Sequence, residues 1–126
     1  MTLLQIIKII ADLKGWISWK NRELTIRLIM EKEGLTEKEC DLLMAVLFAE
    51  NYWLNPSLIC KNTDGSFDYG TIQANSYWYI EKMKLLTKEE ALNNVPKCIK
   101  VFIQRYRDGF LSDWYGYRGG NYKKYL

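Results

Sequence analysis

The chain contains no histidine. That removes Ser-His and Cys-His nucleophile pairs and the paired-histidine zinc site of metalloproteases. Hydrolytic chemistry near neutral pH must then run on carboxylates, lysine or tyrosine, which directs attention to acidic residues in unusual surroundings. Glu50 is one. It follows directly on an apolar run from Leu42 to Ala49. Loss of water penalises the ionised form of such a carboxyl, and the negative end of a helix dipole disfavours it further. Both effects raise its pKa toward the range a general acid needs. The helix pattern alone leaves a second reading open, in which Glu50 pairs with an Arg or Lys at the surface. Asp68 is the other candidate, with Asn62, Gln73 and Asn75 near enough in sequence to hydrogen-bond it and hold it ionised. A protonated acid facing an ionised carboxylate is the arrangement that supports an oxocarbenium-like transition state in glycoside cleavage. Asp64 competes for the second role, but it stands at a turn position favoured by Asp for backbone reasons, which gives it a structural part.

The elements that must position these groups are mostly helical. Apolar periodicity predicts helices near residues 2–14, 21–33, 36–52, 87–93 and 95–107. The third is the best defined. Thr36 is a good N-cap, and Glu39 three residues on completes a capping box. Its run from Leu42 is apolar on every side, the mark of a buried central helix. Pro56 disfavours helix at Asn55, so the helix must end shortly before it. Residues 58–75 carry β-prone residues on either side of Asp64-Gly65, which predicts a hairpin with a type I′ turn. The expected class is α+β, mostly α-helical, with a central buried helix and one small β-hairpin lining a cleft.

The 126 residues suit a single domain, with residues 1–35 an N-terminal helical segment of open role and 36–126 the core. At 48% apolar and 26% charged residues the composition is that of a globular chain. Leu3, Ile6, Ile7, Ile10 and Leu13 fall at helical spacing, which predicts a core-packing helix in preference to a membrane-surface one. No stretch approaches the ~20 apolar residues of a membrane span, and the first residues lack the basic leader and cleavage site of a signal peptide. Synthesis in a cytoplasm without a stable membrane anchor is therefore expected. Three cysteines, Cys40, Cys60 and Cys98, cannot all pair within one chain and match no zinc or redox spacing, so they are expected reduced and buried. No metal-ligand set appears, and no cofactor is expected. A net charge of +3 with scattered Lys and Arg offers no basic groove for a nucleic acid. A monomer is the default.

The segment NTDGSFDYGTIQANSYWY, residues 62–79, resembles the hairpin signature of the lysozyme superfamily, nearest to the C-type pattern NTDGSTDYGxxQINSxWW. Ala49-Glu50-Asn51 is similar to the box that carries the catalytic glutamate in lysozymes and soluble lytic transglycosylases, and Asn55-Pro56 matches its NP. Residues 98–126 resemble the final helix and Tyr- and Gly-rich tail of phage-borne members. The resemblance covers roughly residues 36–126 and does not extend to the first 35.

The resemblance implies a lysozyme-like fold and cleavage of the β-1,4 bond between N-acetylmuramic acid and N-acetylglucosamine. Glu50 would be the general acid and Asp68 the nucleophile or electrostatic stabiliser. Asn62, Gln73, Asn75 and Trp78 match positions that line the saccharide cleft, although Trp78 could instead pack in the core. Trp114 matches a tryptophan that packs beside the catalytic glutamate and would supply an apolar wall. Its effect on a carboxyl pKa is the familiar one of lysozyme itself. The implied partners are peptidoglycan strands or chitooligosaccharides. Two alternatives stay open: a lytic transglycosylase that uses Glu50 alone and gives anhydro-muramic products, and a non-catalytic saccharide-binding module. The chain departs from the secreted C-type pattern in lacking its disulfide framework, in Asn51 where a serine is usual, and in Ala74 where an isoleucine is usual. These departures fit a phage or bacterial relative made in a cytoplasm and acting on the wall after lysis or from a virion.

Overall fold

A computed structural model describes the backbone of residues 1–14 and 19–126, with the side chains of 1–8 and 21–126. Six α-helices are described: α1 (Leu3–Lys14), α2 (Trp19–Lys32), α3 (Glu37–Glu50), α4 (Lys88–Asn93), α5 (Val95–Arg107) and α6 (Tyr115–Arg118). Between α3 and α4 lie three short strands, β1 (Ile59–Lys61), β2 (Phe67–Tyr69) and β3 (Ala74–Asn75), and a π-helical turn over Ser76–Lys82. The protein is thus α+β and mostly helical, with one small antiparallel sheet in the order β1-β2-β3. Among the described residues, no helix is long and apolar enough to cross a membrane.

The expected capping box starts α3. The Thr36 hydroxyl accepts from the Glu39 N–H at 3.2 Å, and the Glu39 carboxylate accepts from the Thr36 N–H at 3.0 Å. Cys40 and Leu43 through Leu47 are buried, so the helix runs through the middle of the molecule. It stops at Glu50, two residues short of the expected end. Asn51 leaves helical geometry because its side chain takes over as a bracket: the amide donates to the Asn55 carbonyl (2.9 Å) and the Gly70 carbonyl (3.3 Å), and its oxygen accepts from the Asn55 N–H (3.0 Å). A serine there is too short to span both neighbours.

The buried apolar side chains form one cluster. Ile26 and Met30 of α2, Leu43, Val46 and Leu47 of α3, Ile72 after β2, and Ile99, Phe102 and Ile103 of α5 are all at most 1% exposed. Burial of such side chains is worth ~1.5–3 kcal/mol each, and this holds the helices against the sheet. Because α2 contributes Ile26 and Met30, the N-terminal segment shares the core of the remainder. The described part of the apolar stripe expected on α1 does not. Leu3 and Ile6 are exposed, Ile7 is half-buried, and the side chains of Ile10 and Leu13 fall outside the described residues. Among the described residues α1 packs mainly against α2.

The hairpin forms, but not with a type I′ turn. Gly65 has φ of 88°, whereas Asp64 keeps a negative φ. The Gly65 N–H donates to the Asn62 carbonyl and the Asn62 N–H to the Ser66 carbonyl, giving a three-residue loop that ends in a left-handed glycine. Asp64 caps it by accepting from the Ser66 N–H (2.9 Å) and hydroxyl (2.6 Å), which holds its carboxyl below its ordinary pKa. The cysteine expectation also needs correction. Cys40 and Cys98 are buried and free, and burial pushes the Cys98 thiol up to about 11. Cys60 is exposed, because β1 is an edge strand whose three residues all face solvent.

Gly70 ends β2 at φ 75°, and an added Cβ would stand 1.9 Å from the Ala91 carbonyl oxygen of α4. Only glycine allows the sheet to dock there. Gly70→Ala combines a left-handed penalty with overpacking against backbone and should cost at least about 2 kcal/mol. A thermal melt should show the midpoint fall by roughly 6 °C or more; an unchanged midpoint would refute this packing.

Candidate active site

A cleft of about 790 Å³ opens between the sheet, the π-helical turn and the C-terminal segment. That volume is within the range of ligand sites. Glu50 reaches it from the last turn of α3 and Asp68 from the centre of β2. All seven residues singled out in the sequence line it: Glu50, Asn62, Asp68, Gln73, Asn75, Trp78 and Trp114.

Glu50 forms no ion pair among the described residues, which removes the reading that it pairs with an Arg or Lys. Instead its Oε1 accepts a hydrogen bond from the Gly116 N–H in the first turn of α6. The approach is close: a Cβ at position 116 would lie 2.7 Å from the Ala49 Cβ and 3.1 Å from Oε1. Burial raises the Glu50 pKa above its ordinary value, and the charge of Asp68 raises it further. The Gly116 N–H and the Arg118 guanidinium pull the other way, and loss of water prevails.

Asp68 has a different setting. In the sheet it pairs with Cys60 of β1 on one side and Asn75 of β3 on the other. Its Oδ1 accepts from the Asn75 amide at 3.1 Å. The Asn75 oxygen accepts in turn from the N–H groups of Tyr77 and Trp78, so one side chain both supports the carboxylate and starts the π-helical turn. Asn62 and Gln73 do not touch Asp68 as expected. The Asn62 amide donates to the Ser66 hydroxyl (3.0 Å). Gln73 adopts a left-handed φ of 53° and folds its amide back to the Gly70 and Leu58 carbonyls (2.9 and 3.2 Å). The amide of Asn62 is taken by a hydroxyl and that of Gln73 by two backbone carbonyls, so both brace the loops of the cleft wall and leave Asp68 to Asn75.

Trp78 is 57% exposed, which removes the core-packing alternative and leaves an open aromatic face at the cleft. Trp114 is buried to 4% and stands edge-on to Phe102 (centroids 4.6 Å) and Tyr79 (5.6 Å), with its indole N–H donating to the Ile72 carbonyl at 2.6 Å. It shares the cleft wall with Glu50 and also precedes α6 directly. It therefore fixes the helix whose Gly116 holds the acid.

Sequence reasoning missed the far wall. Tyr79 donates its O–H to Asp113 (2.7 Å), and Arg105 donates to both. Burial and the Asp113 bond push the Tyr79 phenol well above its ordinary value. Arg118 and Tyr115 complete that side. Gly116 was also missed. Its part is played by a backbone N–H, for which side-chain type carries no signal.

The cleft can thus present a proton from one carboxyl and a negative charge from another, with an aromatic face alongside. Asp68→Asn removes the charge that helps raise the Glu50 pKa. A carbon-detected NMR titration of the Glu50 carboxyl should therefore show a lower pKa in that variant; an unchanged or raised value would contradict the coupling. No protein-family model, curated protein or solved structure matches the chain.

Proposed function

We propose that the protein is a peptidoglycan glycosidase with a lysozyme-like fold, hydrolysing the β-1,4 bond between N-acetylmuramic acid and N-acetylglucosamine. The observation that carries this reading is the desolvated Glu50 carboxyl, with its raised pKa, in one cleft with Asp68. The likeness of residues 49–56 and 62–79 to lysozyme motifs supports it, as does the exposed face of Trp78, against which a sugar ring can stack.

The chemistry follows from the hydrogen bonds. The Gly116 N–H engages Oε1 of Glu50, which leaves Oε2 to carry the proton. That proton passes to the bridging oxygen as the glycosidic bond breaks and the leaving sugar departs as an alcohol. Positive charge develops at the anomeric carbon and ring oxygen. Asp68, braced by Asn75, stabilises or captures that cation. Water then adds, deprotonated by Glu50, which returns to its starting form. The acid works only while protonated, so kcat should fall as pH rises through its raised pKa, above the ordinary carboxylate range.

Product analysis on purified peptidoglycan tests the reading. Mass spectrometry should show fragments that have gained water, and Glu50→Gln should lose about 10²–10⁴-fold in rate with its circular dichroism unchanged. Full activity of that variant would overturn the assignment. Products without added water would replace hydrolysis by the anhydro-forming transglycosylase reaction.

A further inference from the structure

The charges lining the cleft do not all find partners. Asp113 is paired with Arg105 at 2.7 Å, and Asp64 is tied to Ser66. Glu50 and Asp68 belong to the reaction proposed above. Arg118 remains. Its Nη1 donates to the Ser112 carbonyl at 3.0 Å, and its guanidinium lies 5.5 Å from the centre of the Tyr115 ring. Among the described residues it forms no ion pair with a carboxylate. A guanidinium offers five N–H donors in a planar fork, so most of its capacity faces the cleft and solvent. The carbonyl bond fixes one edge of the fork and lowers the entropy lost on binding an anion. Arg118 lines the same cleft as Glu50 and stands in α6 two residues after Gly116, whose N–H holds Oε1 of Glu50, so it is near the bond that Glu50 would cleave.

We propose that Arg118 determines specificity by binding a carboxylate of the substrate next to the scissile bond, so that the cleft selects anionic over neutral β-1,4 glycans. This inference rests on the glycosidase reading. Peptidoglycan offers such a carboxylate in two forms: the lactyl ether acid of muramic acid, when bare, or an acid of the attached peptide. A polymer of N-acetylglucosamine alone has neither. Tuning of Glu50 is a separate effect of the same charge. In the free protein it moves the pH profile of kcat/KM alike for neutral and anionic substrates, whereas carboxylate recognition changes the ratio of their affinities.

The test uses the full chain carrying Glu50→Gln, so that ligands bind without turnover, and reads dissociation constants by calorimetry. The probes are three tetrasaccharides: N-acetylglucosamine only, alternating with bare muramic acid, and alternating with peptide-bearing muramic acid. At least one anionic ligand should bind about tenfold more tightly than the neutral one, and which of them does so identifies the carboxylate. Adding Arg118→Gln should bring the ratio close to one, and Arg118→Lys should restore part of it. The preference should also shrink as salt rises. Equal affinity for all three before Arg118 is changed, or a ratio that survives Arg118→Gln, would overturn this inference and leave the glycan cleft standing. Binding of none of the three would overturn the glycosidase reading and this inference together.

Discussion

Glu50 is held by the hydrogen bond from the Gly116 N–H and sits where burial strips it of water. The two act against each other. A backbone N–H favours the carboxylate, and burial favours the neutral acid. Full burial without the N–H would leave the carboxyl free to rotate and costly to ionise. A second N–H would hold it permanently charged. One donor fixes Oε1 and leaves burial in control of the proton. The arrangement depends on backbones in near contact, since a single added carbon at position 116 would strike Ala49. Residues 50 and 116 lie 66 positions apart in the chain, so the contact depends on tertiary structure.

Three ties hold it from different directions. Trp114, wedged between Phe102 and Tyr79 and bonded to the Ile72 carbonyl, sets where α6 begins. Asn51 clamps the end of α3 to the loop at Asn55 and to Gly70 at the end of β2. Gly70 then lets β2 dock on the α4 backbone with no side chain between them. The sheet that carries Asp68 and the helix that carries Glu50 are therefore connected through backbone carbonyls within a few residues of each group. Long charged side chains play little part. Hydrogen bonds to carbonyls carry no titrating group at the acceptor, so they tie the two elements together independently of the charge on Glu50.

The parts legible in the sequence were those governed by local rules. The capping box at Thr36, the buried run of α3, the bounds of α5 and the existence of the hairpin each follow from spacing within a few residues. The glutamate closing the apolar run stood out because a carboxyl there has an energetic cost that needs a reason. Where prediction failed, a specific hydrogen-bond partner had intervened, in one case from far along the chain. The end of α3 came early because Asn51 found Gly70, nineteen residues away. Gln73 and Asn62 turned from Asp68 because backbone and hydroxyl groups nearby claimed their amides. The turn type was missed because the Asp64 side chain caps the loop without needing positive φ. The π-helical turn, α6 and the Arg105–Asp113–Tyr79 wall left no periodic trace, since each is short or assembled from separate segments.

The two carboxyls of the cleft stand in different settings. Glu50 ends a greasy helix and accepts from the Gly116 N–H. Asp68 lies on a short three-stranded sheet, with polar Asn75 opposite and half-buried itself. Their mutual repulsion raises the pKa of Glu50, which already favours its proton for want of water. Repulsion between like charges, a liability in a stable core, here adds to the effect of burial on Glu50. Arg118 works against this polarity, and tuning alone gives no reason for a cation beside a group that must keep its proton. Its place is explained if the charge it offsets arrives with the ligand. A bound carboxylate would neutralise the guanidinium and remove its pull on Glu50, so the acid would gain proton affinity as the cleft fills.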